Sequence, residues 1–422
     1  MNKFLLFVLS ATSLLPLSAQ TTFEEMAADL NKTGGVYYAY PTTKADNTPA
    51  PKGYKPFYIS HYGRHGSRYL ISDNDYIRVH NLLRQAKNQN ALTPLGLDIL
   101  NRLDTVWQEA QGRGGDLSPL GVRQHKGIAA RMFENYPEVF KGKAKLSARS
   151  TLVPRCILSM ASFCESLKEN NPALDITMES SNRYMPYICS STPASDEFNS
   201  SKGWWKEAAR KFEQRQVKPE RMVKAVFNNE DFVDRYVNPS DFMWSMYWLA
   251  SDAQDTENKI SFYDVFTPQE AFDIWQCFNA DFYAKHSNFP AANGVHLDDA
   301  KPLLRNFIEG VEAAIDGTGD NATLRFGHDG NVVPFTALLH FDGCYGETEK
   351  PEDFYKVWCD WKVSPMAANI QWVLFRNDKK PDDILIKFMH NEKETSIPVK
   401  TDIYPFYHWN DVKEYYNSLL QK

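Results

Sequence analysis

The sequence predicts an α/β protein with a central sheet, interrupted by a mainly helical insertion. Three runs, Pro56-Phe57-Tyr58-Ile59, Lys145-Leu146-Ser147-Ala148 and Asn321-Ala322-Thr323-Leu324-Arg325-Phe326, have strand composition, and each leads into a charged loop and then a helical stretch. Between the second and third lie helical lengths around 202–227, 239–251, 268–285 and 299–315, broken at Asn238-Pro239, Thr267-Pro268 and Phe289-Pro290. With 422 residues, 43% of them hydrophobic, the chain can build one large α/β unit with an added lobe, or two or three domains.

Charge and composition narrow the function. A formal charge of -6 argues against general attraction to nucleic acid, although a single cleft can still be basic. Met1-Asn2-Lys3, the apolar Phe4-Leu5-Leu6-Phe7-Val8-Leu9 and the small residues at Ser18-Ala19 read as a secretory signal peptide over 1–19, too short in its apolar part to span a membrane. No second spanning candidate follows, so the expectation is an exported protein, periplasmic or extracellular. Six cysteines, Cys156, Cys164, Cys189, Cys277, Cys344 and Cys359, are compatible with disulfides outside the cytosol, and Cys344 to Cys359 can close a local loop. No tight CxxC pair or Cys/His cluster supports zinc, and no metal or other cofactor is expected.

After an amphipathic start broken at Gly34-Gly35 and a Pro- and Asn-containing loop over 41–53, the first strand delivers Ile59-Ser60-His61-Tyr62-Gly63-Arg64-His65-Gly66-Ser67-Arg68-Tyr69-Leu70. Two arginines and a histidine between small residues suit an oxyanion better than a core. Neutral His65 can attack phosphorus while Arg64 and Arg68 hold the equatorial oxygens and offset their charge. The same guanidinium charge disfavours imidazolium, and Gly63 and Gly66 would let backbone approach the phosphate. The competing reading is a basic surface loop in which His65 makes a structural hydrogen bond.

Thr93-Pro94 and Ser118-Pro119 each place a capping hydroxyl before a proline at the first helical position, introducing helices over Leu97–Glu109 and Val122–Phe133. Gln124 and His125 lie in the second, where a place on a helix face is the simpler role. After the second strand, Arg149 and Arg155 are both able to bring another guanidinium to the same phosphate, and Ile157–Leu167 reads as a helix. Trp204, Trp205, Trp244, Tyr247, Trp248 and Trp275 suit the core of a helical lobe, or else a carbohydrate or aromatic-ligand site. Lys206, Arg210, Lys211, Arg215 and Lys218 read as a solvated helix face, or as a guide for a multiply phosphorylated substrate. Asp175-Ile176-Thr177-Met178-Glu179 reads as an edge strand of the first domain.

The third strand ends in Gly327-His328-Asp329-Gly330, which sets an imidazole beside a carboxyl group at a strand-to-helix junction; the competing role for Asp329 is a helix cap. Asn369–Phe375 and Ile384–Met389 read as strands, Asn391-Glu392 as a turn towards an edge strand at 395–399 carrying Pro398, and Asn410–Leu420 as a closing helix.

Arg64-His65-Gly66-Ser67-Arg68 resembles the RHGxR signature of the histidine phosphatase superfamily, in its acid phosphatase and phytase branch. Leu117-Ser118 through Gln124 is similar to the LSxxGxxQ segment of multiple inositol polyphosphate phosphatases, and Gly327-His328-Asp329 resembles the distal HD element of bacterial histidine acid phytases. The resemblance implies a three-layer α/β core with a mostly parallel sheet and an inserted helical cap. Its expected divisions are signal peptide 1–19, first core part 20–167, cap 168–315, and second core part 316–422 with the terminal hairpin. It also assigns roles: His65 as nucleophile, Asp329 as proton donor, and Arg64, Arg68, Arg155 and His328 as phosphate ligands. Leu70 replaces the proline usual after this signature, and His328-Asp329-Gly330 differs from the HAE element of many inositol polyphosphate phosphatases. The function implied is a phosphomonoester hydrolase forming phosphohistidine, with phytate or another inositol polyphosphate as substrate. The alternatives are a broad acid phosphatase acting on sugar phosphates, and a noncatalytic polyanion binder, which would need neither His65 nor Asp329.

Overall fold

The computed structural model describes residues 21–41, 44–200 and 203–421, so the signal peptide expected over 1–19 lies outside the described residues. Among the described residues, eight strands, β1 (Tyr54–Arg64), β2 (Lys145–Ser150), β3 (Asp175–Ser180), β4 (Ala322–Gly327), β5 (Asn369–Asn377), β6 (Lys380–His390), β7 (Lys393–Glu394) and β8 (Phe406–His408), form one sheet in the order β3-β2-β4-β1-β5-β6-β7, with β8 also on β6. The first four in this order run parallel, and β5 to β8 continue the sheet antiparallel. The expected parallel core is therefore half of a mixed sheet. Strand β1 lies between β4 and β5 with both ladders satisfied, which carries it beyond the predicted short run, through to Arg64.

Alternation of side chains along the inner strands builds two apolar faces. Val373 and Phe375 of β5 join Leu146, Ala148, Leu324 and Phe326 under Ile128 and Met132 of the helix Pro119–Asn135 and Met160 and Phe163 of the helix Pro154–Asn170. Ile370, Trp372 and Leu374 turn the other way, with Tyr58, Tyr62, Ile386 and Phe388. They pack against Leu303 and Phe307 of the helix Val295–Ile315, Phe335 of Asp329–Leu338, and Val412 and Tyr416 of Trp409–Gln421. The result is three layers.

The helix starts are as the sequence indicates: Thr93 Oγ1 accepts from Gly96 N–H (3.1 Å) and Ser118 Oγ from Gly121 N–H (3.4 Å), with Pro94 and Pro119 in the first turn. The stretch expected over 202–227 is two helices, Trp204–Gln216 and Glu220–Val226, because Pro219 cannot continue the first. β3 pairs with β2, and the helix Val295–Ile315 lies on the sheet, so both ends of the interval 168–315 belong to the layers. The helices Asp73–Asn88 and Pro94–Ala110 share a core with the insertion, where Tyr76, Leu83 and Leu100 meet Met246, Tyr247 and Trp275. Asn391 and Glu392 turn the chain with φ of 49° and 61°, but the strand they lead to is Lys393–Glu394, and no strand forms at 395–399. All six cysteines are unpaired, which corrects the disulfide expectation: Cys344 lies 3.6 Å from His390 Nδ1, and Cys359 donates to Tyr355 O at 3.3 Å.

Leu374 is wholly buried beneath the helical layer. Leu374→Ala is expected to cost about 2–5 kcal/mol, from lost transfer energy plus the cavity left behind. A urea or thermal midpoint equal to wild type would contradict this packing.

Candidate active site

The register of the parallel strands assembles the site. Arg64 of β1 stands opposite Gly327 of β4, and Ser150 of β2 opposite Phe326. The next residues, His65, His328 and Thr151, therefore leave the same sheet edge, tied by His65 N–H to Gly327 O (2.9 Å) and Thr151 N–H to Phe326 O (3.0 Å). This is the carboxyl end of the parallel strands, where open α/β sheets hold ligands.

Arg64 is fully buried. Its Nη1 donates to the carbonyls of Val36 and Ser364, the latter at 2.8 Å, and its Nη2 stands 2.8 Å from Asp329 Oδ2. His65 Nδ1 lies 2.9 Å from Gly66 O. A carbonyl only accepts, so this contact assigns the ring proton to Nδ1 and leaves the Nε2 lone pair free. Burial, then Arg64, Arg68 and Arg155, hold the imidazole well below its ordinary pKa, so it stays neutral in acid. Arg68 lies over the Tyr37 ring at 4.6 Å and donates to Tyr69 O at 2.8 Å, while Arg155 reaches Gly115 O at 3.4 Å. The Nε groups of all three arginines are buried without an acceptor among the described residues, which fits donors reserved for an oxyanion.

The His328 ring faces that of His65 at 5.7 Å between centroids, with Nε2 3.2 Å from Thr151 Oγ1. Burial pushes it down to about 4, and the arginines add to this against the opposing pull of Asp329. Asp329 is the first residue of its helix; Oδ1 accepts from Gly330 N–H (2.9 Å) while Oδ2 pairs with Arg64. Burial would raise its carboxyl, but Arg64 foremost, with His328 and His286, brings it down to about 2. Its side chain is still 26% exposed, towards a cleft of about 410 Å³. The six residues expected together do come together: His65, Arg68, Arg155, His328 and Asp329 line this cleft, with Arg64 buried behind Asp329 and the insertion supplying Lys285 and His286.

Other expectations resolve differently. Arg149 stacks over Tyr184 and donates to Tyr187 Oη at 2.9 Å, so it is no phosphate helper. Gly66 is small because of helix packing, since a Cβ there would stand 2.6 Å from Gly121 Cα; at Gly63 a Cβ would meet His61 Cε1 at 2.8 Å. Cys156 donates to Gly327 O (3.3 Å) below His328, its thiol pushed up to about 12 by burial. Arg210 and Lys211 pair with Glu207 on an exposed face. Trp275 is core, whereas Trp244 and Trp248 line a separate cleft of about 520 Å³ that contains none of the three arginines and shares only Lys285 with the first.

Gln124 is more than a helix-face residue. Its Oε1 accepts from Ser67 N–H and its Nε2 donates to Ser67 Oγ, both at 2.8 Å, while Ser67 Oγ donates to Asp255 at 2.5 Å and Gly66 N–H donates to Ser159 Oγ at 3.1 Å. Leu70, standing where proline is usual, uses the N–H that proline lacks: it donates to Tyr76 Oη at 3.0 Å, and Tyr76 donates to Asp252 at 2.5 Å. Spacing carries no sign of Asp252 or Asp255, which lie 176 residues beyond Tyr76 and 188 residues beyond Ser67. His125 is buried against Phe326 and held at about 3 by burial, a core residue.

Residues 63–391 match the sequence model of the family described as histidine phosphatase superfamily (branch 2). No curated protein matches. Among solved structures, the Bifidobacterium longum multiple inositol polyphosphate phosphatase in complex with inositol hexasulfate is similar at 18% identity and a TM-score of 0.76, over 90% of this chain and 97% of that one. The D. castellii phytase is similar at 16% identity and 0.70, over 93% and 85%. The Hafnia alvei phytase follows at 12% and 0.54, over 88% and 98%.

Burial pushes the Asp252 carboxyl up to about 7, against the pull of Tyr76 and Arg68. The folded chain therefore keeps a proton that the unfolded chain gives up, and this stabilising contribution is present below the ordinary carboxylate range and lost as pH rises towards 7. Asp252→Asn, which keeps an acceptor for Tyr76, should gain stability relative to wild type as pH is raised from about 4 to about 7. Parallel melting curves across that interval would contradict the assignment.

Proposed function

Since the chain belongs to the histidine phosphatase superfamily, branch 2, and carries a histidine acid phosphatase catalytic domain, we propose that it is an exported phosphomonoester hydrolase acting through His65, with phytate or another inositol polyphosphate as substrate. The observation that carries this is the His65 ring, neutral and with Nε2 free, in one cleft with Arg68, Arg155, His328 and Asp329 and backed by buried Arg64.

His65 Nε2 attacks phosphorus as the ester P–O bond breaks, and Asp329 gives a proton to the departing oxygen. Arg64, Arg68, Arg155 and His328 hold the transferred oxygens. Water then attacks the phosphohistidine, giving its proton to Asp329 and its hydroxyl to phosphorus. A phosphoryl group that engages Arg64 competes with Asp329 for the guanidinium charge, which raises the proton affinity of the carboxyl when an acid is required.

Phytate is supported by the resemblance of the LSxxGxxQ segment and by the likeness to a phosphatase solved with inositol hexasulfate. Export rests on the first 19 residues; among the described residues no helix is long and apolar enough to cross a membrane. A second reading, a broad acid phosphatase for sugar phosphates, is favoured by Asp196 and Asp299, whose carboxylates line the same cleft and would oppose a leaving group that is itself a polyanion.

Phosphate release from phytate and from glucose phosphate, without added metal and across acidic to neutral pH, tests both. His65→Ala and Asp329→Asn should each lose at least about a hundredfold in kcat, the scale of a lost nucleophile or general acid. Turnover of glucose phosphate with none of phytate would reject the phytate assignment and leave the broader phosphatase.

A further inference from the structure

In the proposed reaction His328 holds a transferred oxygen, and for that it must offer an N–H. Its ring, held at about 4 foremost by burial, is neutral in mild acid and carries a single ring proton, so its neighbours decide which nitrogen bears it. Nε2 lies 3.2 Å from Thr151 Oγ1. Cys156 Sγ stands 3.7 Å from Nε2 and 3.8 Å from Nδ1, equally far from both, and its own proton goes to Gly327 O at 3.3 Å. The sulfur therefore singles out neither nitrogen, and Nδ1 is the one left for a ligand in the cleft that His328 lines.

Thr151 is fixed where three strands meet. It follows β2, its N–H donates to Phe326 O of β4 at 3.0 Å, and its carbonyl accepts from Ser180 Oγ of β3 at 2.9 Å and from Ser150 Oγ at 3.0 Å. The residue is only 1% exposed, so its hydroxyl must find a partner within the protein. An imidazole lone pair accepts better than a thiol sulfur. The contact with Nε2 has two possible directions. Were Nε2 the donor, Nδ1 would present a lone pair to an anionic oxygen and repel it. With Thr151 as the donor, the ring proton sits on Nδ1 and is available to that oxygen.

We propose that Thr151 is a positioning residue whose hydroxyl donates to His328 Nε2, orienting the ring and placing its proton on Nδ1 for an oxygen of the transferred phosphoryl group. The inference rests on the phosphatase reading of the cleft. Through Ser180 and Thr151 the edge strand β3 contributes to a site that none of its own residues lines.

Thr151→Val, which keeps the shape and loses the hydroxyl, and Thr151→Ser, which keeps the hydroxyl, test it. On both glycerol phosphate and p-nitrophenyl phosphate, kcat/KM of Thr151→Val should fall about tenfold or more, because the misplaced donor serves the phosphoryl group common to both, and serine should recover most of the loss. In a His328→Ala background the same valine should cost no more than about twofold, since the group it acts through is gone. Nitrogen NMR of isotope-labelled histidine, with His328 assigned from its loss in His328→Ala, should find the ring proton on Nδ1 in wild type, and on Nε2 or shared between the nitrogens in Thr151→Val. A proton on Nε2 in wild type, a serine variant as poor as valine, or a valine variant as active as wild type would each overturn the proposal. Wild type inert towards both esters would overturn the phosphatase reading and the catalytic role of Thr151 with it, while the NMR result would still decide the tautomer.

Discussion

A guanidinium with no access to water is the constraint around which this molecule is arranged. Burying the charge of Arg64 is tolerable because its two Nη groups are met by the carbonyls of Val36 and Ser364 and the carboxylate of Asp329, three segments far apart in sequence. Each needs its own support. Gly35, at φ 60°, aims Val36, and a Cβ there would stand 2.2 Å from Asp360 Oδ2. Asp360 opens the helical turn before Ser364 and accepts from Trp275 Nε1 at 2.9 Å, so the core of the insertion reaches the carboxyl edge of the parallel strands through one side chain.

The loop after β1 is held from two sides. The helix layer holds Gly66 and Ser67 through Ser159 and Gln124, while the insertion holds Ser67 and Leu70 through Asp255 and, by way of Tyr76, Asp252. Donors fixed in this way are in place before any ligand arrives. The same arrangement places two buried carboxyl groups behind the loop, both pushed up by burial, so they serve it as hydrogen-bond partners rather than as counter-charges. The insertion thus shapes the site in two respects: it steadies the loop from behind and lines the cleft with Lys285 and His286.

Much of this was legible in the residues. The strand-to-loop junctions at 59–70 and 321–331, the capped helices at Thr93 and Ser118, and the six side chains of the cleft carry local signatures: β-branched runs, hydroxyl-proline starts, and arginine beside histidine and glycine. Gln124 was visible as a residue but not as a clamp, because its partner Ser67 lies 57 residues earlier and nothing in a helix pattern distinguishes an amide facing a loop from one facing water. Gly63 and Gly66 were visible as small, but the neighbour that requires smallness belongs to another element. The cysteines illustrate the opposite error: their number fits an exported disulfide protein, yet separate packing environments leave each one unpaired.

By itself, then, the sequence determined the family of chemistry and the local elements, since a histidine between arginines and glycines and a His-Asp pair are recognised by residue type and short spacing. Only the tertiary structure decided which groups act together. The register that sets Arg64 against Gly327, the Leu70–Tyr76–Asp252 connection and the approach of His286 to Gly330 are distances between segments separated by up to 263 residues. Such distances follow from how the layers close on one another, and no local pattern encodes them.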